Sequence, residues 1–115
     1  MLEDTMNRFY VTFELSALDD SGAADIPLSE ALTDATLDAL LELPELIDPD
    51  AGAELATGRI EFMMMVDAST PEQAVAVVGR RLRECLGLAL GRFPGFKVEF
   101  RGATAIDESV VPAAS

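Results

Sequence analysis

Between Arg59 and Asp67 the chain reads Arg-Ile-Glu-Phe-Met-Met-Met-Val-Asp, and this stretch constrains the fold more than any other. Successive side chains of a strand point to opposite faces. Ile60, Phe62, Met64 and Val66 therefore fill one face, and Glu61, Met63 and Met65 the other. A sheet with one solvated face reads apolar inward and polar outward. Here the second face begins polar and then turns to methionine. The stretch predicts a central strand whose second face needs something to cover it.

The rest of the chain supplies a frame for that strand. Asn7 to Ala17 alternates cleanly, with Phe9, Val11, Phe13 and Leu15 on one side and Tyr10, Thr12, Glu14 and Ser16 on the other. Leu18 to Pro27 reads as a loop with the turn signal Asp-Asp-Ser-Gly. A first helix is expected from an N-cap at Thr33, although a start nearer Ser29 is open. Leu32 and Leu37 have the spacing of a hydrophobic staple around that cap. Leu37, Leu40 and Leu41 would be its buried stripe, with Pro44 closing the helix.

Asp48-Pro-Asp-Ala-Gly52 reads as a turn, and Ala53 to Ala56 as a short, weak edge strand. Thr57-Gly58 would then be the hairpin connection into the methionine strand. Thr70-Pro71-Glu72-Gln73 carries an N-cap, a proline at the first helical position and a capping-box glutamine. The second helix this starts would bury Val75, Val78, Leu82, Cys85, Leu86 and Ala89, and end at Gly91 and Pro94. Gly79 and Gly87 each cost about 1 kcal/mol against alanine inside a helix. Close packing on a neighbour is a reason to keep the first. A last strand alternates Phe96, Val98 and Phe100 against Lys97, Glu99 and Arg101, with Gly102 a bulge or bend. The tail after Glu108 reads as frayed.

Strand, helix, weak strand, strong strand, helix, strand is an order that resembles the ferredoxin-like βαββαβ fold. The resemblance covers about residues 7–107 of an expected single domain spanning 1–115. It implies an antiparallel sheet in the order 4-1-3-2 with two helices on one face. The two strongest strands would then be central and the weakest at an edge. Fold resemblance does not carry function. Similar small domains form dimeric α+β barrels, some of which are cofactor-free enzymes acting on small aromatic compounds. On that resemblance only Asn7, Tyr10 and Glu14 offer polar participants.

Residue types exclude much chemistry. The chain has no histidine and no tryptophan, and Cys85 is its only cysteine. Histidine is the commonest general base and metal ligand, so no Ser-His-Asp set is possible. A lone cysteine on an apolar helix face reads as core and fits a reducing compartment. Asp48-x-Asp50-x-Gly52 resembles a calcium loop only in part, because its glycine comes one residue early and Arg59 stands where a bidentate glutamate is needed. Gly91-Arg-Phe-Pro-Gly95 lacks the length and the lysine of a phosphate loop. The residues assign no cofactor, no metal and no catalytic group.

Charge is unevenly laid out around a net −13. Phe9 to Gly58 holds twelve acids and no base, whereas Arg80 to Arg101 holds six bases against Glu84 and Glu99. Such acidity disfavours nucleic-acid binding, which depends on phosphate contacts. Glu30, Asp34, Asp38 and Glu42 repeat every fourth residue, and like charges at that spacing weaken a helix. The row reads as a solvated face, as a partner for Arg80, Arg81 or Arg83, as a docking row for a basic protein, or as a mimic of phosphates in an acidic inhibitor. No apolar run approaches the roughly 20 residues of a membrane span. The first residues lack a signal-peptide pattern, and Met6 could be the natural start, so a cytoplasmic protein is expected.

The functional expectation centres on the second face of the methionine strand. Met63 and Met65 should lie beside Tyr10 and Thr12, with Lys97, Glu99 and Arg101 nearby. Adaptable methionines suit a homodimer interface. The alternatives are a pocket for an apolar ligand and a merely wetted surface. The reading adopted is a non-enzymatic homodimeric accessory module.

Overall fold

The structure, a computed structural model, describes residues 6–93 and 95–108. The alternation of Asn7–Asp19 (β1) and Arg59–Ala68 (β3) sets its centre. These strands pair antiparallel with Phe9 opposite Val66, Val11 opposite Met64, Phe13 opposite Phe62 and Leu15 opposite Ile60. All eight of those side chains are buried. Removing each from water is worth roughly 1.5–3 kcal/mol, so this double row contributes a large share of the core.

Ile47–Glu54 (β2) flanks β3 and Phe96–Asp107 (β4) flanks β1, giving the order β2-β3-β1-β4. Ile26–Leu41 (α1) and Pro71–Leu90 (α2) cover the buried side of this antiparallel sheet. The molecule is therefore a ferredoxin-like βαββαβ α+β fold. The strong strands are central and the weak one is at an edge, as expected. Among the described residues no helix is long and apolar enough to cross a membrane.

The N-cap of α1 lies eight residues before the expected one. Asp25, not Thr33, is the N-cap, and its carboxylate accepts the Leu28 N–H at 3.2 Å with Pro27 in the first turn. The staple of Leu32 and Leu37 falls with it. Thr33 and Thr36 lie mid-helix, where their hydroxyls donate to the carbonyls of Ser29 (2.7 Å) and Leu32 (2.8 Å). Satisfied in this way, they can be buried. The buried stripe is Ser29, Leu32, Thr33, Thr36 and Leu40, while Leu37 is half-buried and Leu41 is 57% exposed.

β2 also departs from expectation. It starts at Ile47, and the residues that read as a turn lie inside it. Asp48 takes a left-handed φ of 50°, which aspartate tolerates, and the register slips between Ile47 and Asp50 around Pro49. Leu55–Thr57 forms a 3-10 turn rather than continuing a strand. Gly58 follows at φ 75°, and a Cβ there would lie 2.5 Å from the Ala17 carbonyl oxygen.

α2 begins as its sequence predicts, with the Thr70 hydroxyl accepting the Gln73 N–H at 3.0 Å. Gln73 reaches one residue further back than a standard box and accepts from the N–H and hydroxyl of Ser69, each at 2.6 Å. Its buried face is Ala74, Val78, Gly79, Leu82, Cys85, Leu86 and Ala89. β4 runs past Arg101 to Asp107 with a bulge where Glu14 faces Gly102 and Leu15 faces Phe100. The expected frayed tail beyond Glu108, the upstream reading of Met1–Thr5 and the helix stop at Pro94 lie outside the described residues.

Candidate interaction surface

The side of the sheet away from the helices is organised as cross-strand rows. In antiparallel pairs, directly opposed residues share a face. Ile47 faces Met65, Met65 faces Tyr10, and Tyr10 faces Ile106, so one row crosses all four strands and is apolar along its whole length apart from the tyrosine hydroxyl. The next row is Asp50, Met63, Thr12 and Thr104. Then come Gly52, Glu61, Glu14 and Gly102, and after them Glu54, Arg59, Ser16 and Glu99. Polarity thus changes along the strands, from apolar at one end of the face to charged at the other.

Tyr10 (39%) and Ile106 (46%) are exposed, and Met63, Met65, Thr12 and Ile47 are half-buried. Ion pairs border the apolar rows. Arg8 meets Asp67 at 3.0 Å beyond one end, and its hydrogen bond to that carboxylate, then the charge, raises the guanidinium pKa. At the other end Arg59 bridges Glu14 (2.9 Å) and Glu61 (3.2 Å). Such exposed pairs contribute little to stability. What they do here is delimit the apolar area.

Of the residues singled out in the sequence, Tyr10, Thr12, Met63 and Met65 come together. Lys97 does not join them: it faces Leu18 at the far end of β1. Arg101 is the extra residue of the bulge, with its guanidinium 3.4 Å from Glu99. Ile47, Thr104 and Ile106 were not singled out. A signal for Ile106 existed, because an extra residue at a bulge flips the facing of everything after it. Gly102 reads as a bulge or bend, and a bulge there places Ile106 opposite Tyr10.

The acidic residues Glu30, Asp34, Asp38 and Glu42 are all exposed on α1. Arg81 and Arg83 of α2 are engaged elsewhere. Arg81 lies 2.7 Å from Glu45 and 3.3 Å from Glu84, whose charges raise its pKa. Glu45 is lowered first by its own backbone N–H and then by the charge of Arg81. The Arg83 guanidinium lies 4.6 Å above the Phe100 ring. Asp38, Glu42 and Arg92 rim a groove of about 490 Å³ floored by Ala35, Ala39 and Ala89. Cys85 is 4% exposed at that groove, and burial pushes its thiol pKa up. Among the described residues no group of three or more potential ligands is arranged to hold a metal ion.

No family model and no curated protein matches the chain. Two solved structures are similar in part. A hydantoinase/carbamoylase family amidase from Burkholderia ambifaria aligns at 13% identity and a TM-score of 0.42, over 88% of this chain and 28% of that one. AtUAH in complex with (S)-hydroxyglycine aligns at 12% identity and a TM-score of 0.33, over 91% of this chain and 30% of that one. This chain thus spans less than a third of either, and at these scores neither carries an argument about function.

Proposed function

We propose that the chain is a non-enzymatic interaction module that forms a homodimer by stacking its open sheet face on that of a second copy. The observation that carries the reading is the row Ile47–Met65–Tyr10–Ile106, an apolar band crossing every strand on the side the helices leave bare. Four strands at about 4.8 Å spacing and ten residues at about 3.3 Å outline a face of roughly 600 Å² before side-chain relief is counted. Two such faces bury about 1,200 Å², the lower edge of the range for stable complexes. The dimer is thus a modest one, held by its apolar rows and oriented by the ion pairs at their ends.

Light scattering at tens of micromolar tests this. The wild type should have the mass of more than one chain, and Met63→Lys with Met65→Lys should reduce it to one. Both side chains point away from the core, so the fold should survive. A wild-type monomer, or a variant that associates as before, would remove the proposal.

A further inference from the structure

With no histidine and no tryptophan in the sequence, the side chains most open to a peroxide are Cys85 and the five methionines. Cys85 and Met64 are buried in the core. Met6 is exposed just before β1. Met63 and Met65 are half-buried on the open sheet face. Accessible sulfur therefore collects at the centre of one surface, on a strand where β-branched residues would suit the backbone better and resist oxidation.

The two methionines differ in their surroundings. Met65 stands between Ile47 and Tyr10, in the middle of the apolar row, where the tyrosine hydroxyl is the lone donor. Met63 stands between Asp50 and Thr12, and its methyl lies 3.8 Å from where a Cβ on Gly52 would be. It lies down over β2 among polar neighbours. An added oxygen is thus tolerated at Met63 and foreign at Met65.

Hydrogen peroxide oxidises a thioether without a catalytic base. The sulfur lone pair attacks one peroxide oxygen, and the S–O bond forms as the O–O bond breaks. The departing hydroxide takes the remaining proton and leaves as water. Sulfur gives up two electrons, and a flexible apolar side chain becomes a polar sulfoxide.

We infer that Met65, with Met63 beside it, is an oxidation site whose sulfoxide dissolves the face-to-face pair of chains. This control rests on the homodimer proposed above. Within the pair Met65 lies between two sheets, so peroxide reaches it on the separated chains. Its sulfoxide oxygen must then shed water before the faces can close again. That costs about tenfold in association for each sulfoxide, and a symmetric pair carries two, so the dissociation constant should rise about a hundredfold. A face at the lower edge of the area for stable complexes has no reserve against such a loss.

Peroxide treatment followed by light scattering tests this, with mass spectrometry of peptides locating the added oxygen. Met65 sulfoxide should form severalfold more slowly where the chains are paired than after dilution, and the associated mass should fall as it accumulates. Methionine sulfoxide reductases for both epimers, with dithiothreitol, should restore the mass. The dithiol supplies two electrons and closes to its cyclic disulfide, and the oxygen leaves as water. Met63→Leu with Met65→Leu should stay associated in the same peroxide, although Met6 still oxidises. Met65→Gln, polar and unbranched, should be a single chain without any peroxide. The oxidation site is overturned if the wild type keeps its mass with Met65 oxidised, or if the leucine variant comes apart with it. A wild type that is a single chain before any peroxide removes the homodimer itself, and this control with it.

Discussion

Gly79 meets Phe13 where α2 crosses β1, so closely that a Cβ on residue 79 would lie 3.1 Å from the ring Cζ. Glycine costs about 1 kcal/mol inside a helix, and the approach of helix to sheet is what that cost secures. Gly79→Val presses on that ring, which is buried and cannot move aside. It should lower unfolding free energy by about 1–3 kcal/mol in denaturant titration. An unchanged midpoint would mean that α2 does not sit this close to the sheet.

The facing of α1 makes a paired prediction. Leu40 is fully buried and its neighbour Leu41 is 57% exposed. Leu40→Ala should cost about 2–5 kcal/mol, and Leu41→Ala no more than about 0.5 kcal/mol. Asp25→Ala should cost about 1 kcal/mol as the loss of an N-cap. Equal losses at residues 40 and 41 would return the helix to the facing expected from leucine spacing alone.

That helix shows where the sequence was legible and where it was not. β1, β3 and α2 could be read because their patterns are unambiguous: strict alternation in the strands, and Thr70-Pro71 with Gln73 at the helix start. The α1 stripe was hidden because Thr33 and Thr36 count as polar in a sequence but satisfy their hydroxyls within their own helix. β2 was hidden because Asp48, Pro49 and Asp50 are turn residues that an edge strand absorbs through a slipped register. Half of the apolar row, Met65 and Tyr10, followed from alternation. Ile106 needed the bulge at Arg101, and Ile47 needed β2 itself.

Acid should weaken the fold partly through Asp19. The Ser21 hydroxyl at 2.6 Å, then the Ala23 N–H at 3.0 Å, hold its carboxylate below its ordinary value of 3.8. A carboxylate lowered on folding stabilises the native state fully above the unfolded value, and that stability is lost as pH falls through the lower folded value. Asp19→Asn should therefore lose less stability than the wild type between about pH 5 and pH 3 in thermal melts. Parallel loss in the two proteins would contradict the assignment.

Cys85 should be inert while the protein is folded. It is 4% exposed, and burial first, then the charge of Glu84, raises its thiol pKa. Labelling by a thiol reagent should be at least about tenfold slower than for the unfolded chain, and should accelerate with denaturant. Labelling at the unfolded rate in buffer would place the thiol at the surface.

Met63, Met64 and Met65 provide the most direct test of self-association through the open face. Met63 and Met65 are half-buried on that face, while Met64 between them is 0% exposed in the core. With the methionine methyls isotopically labelled, their resonances can be followed as the protein is diluted from millimolar to micromolar concentration. The methyls of Met63 and Met65 should shift along one binding curve while Met64 stays in place. If all three stay fixed across the dilution, or if Met64 moves with its neighbours, the open face is not where the chain meets its second copy.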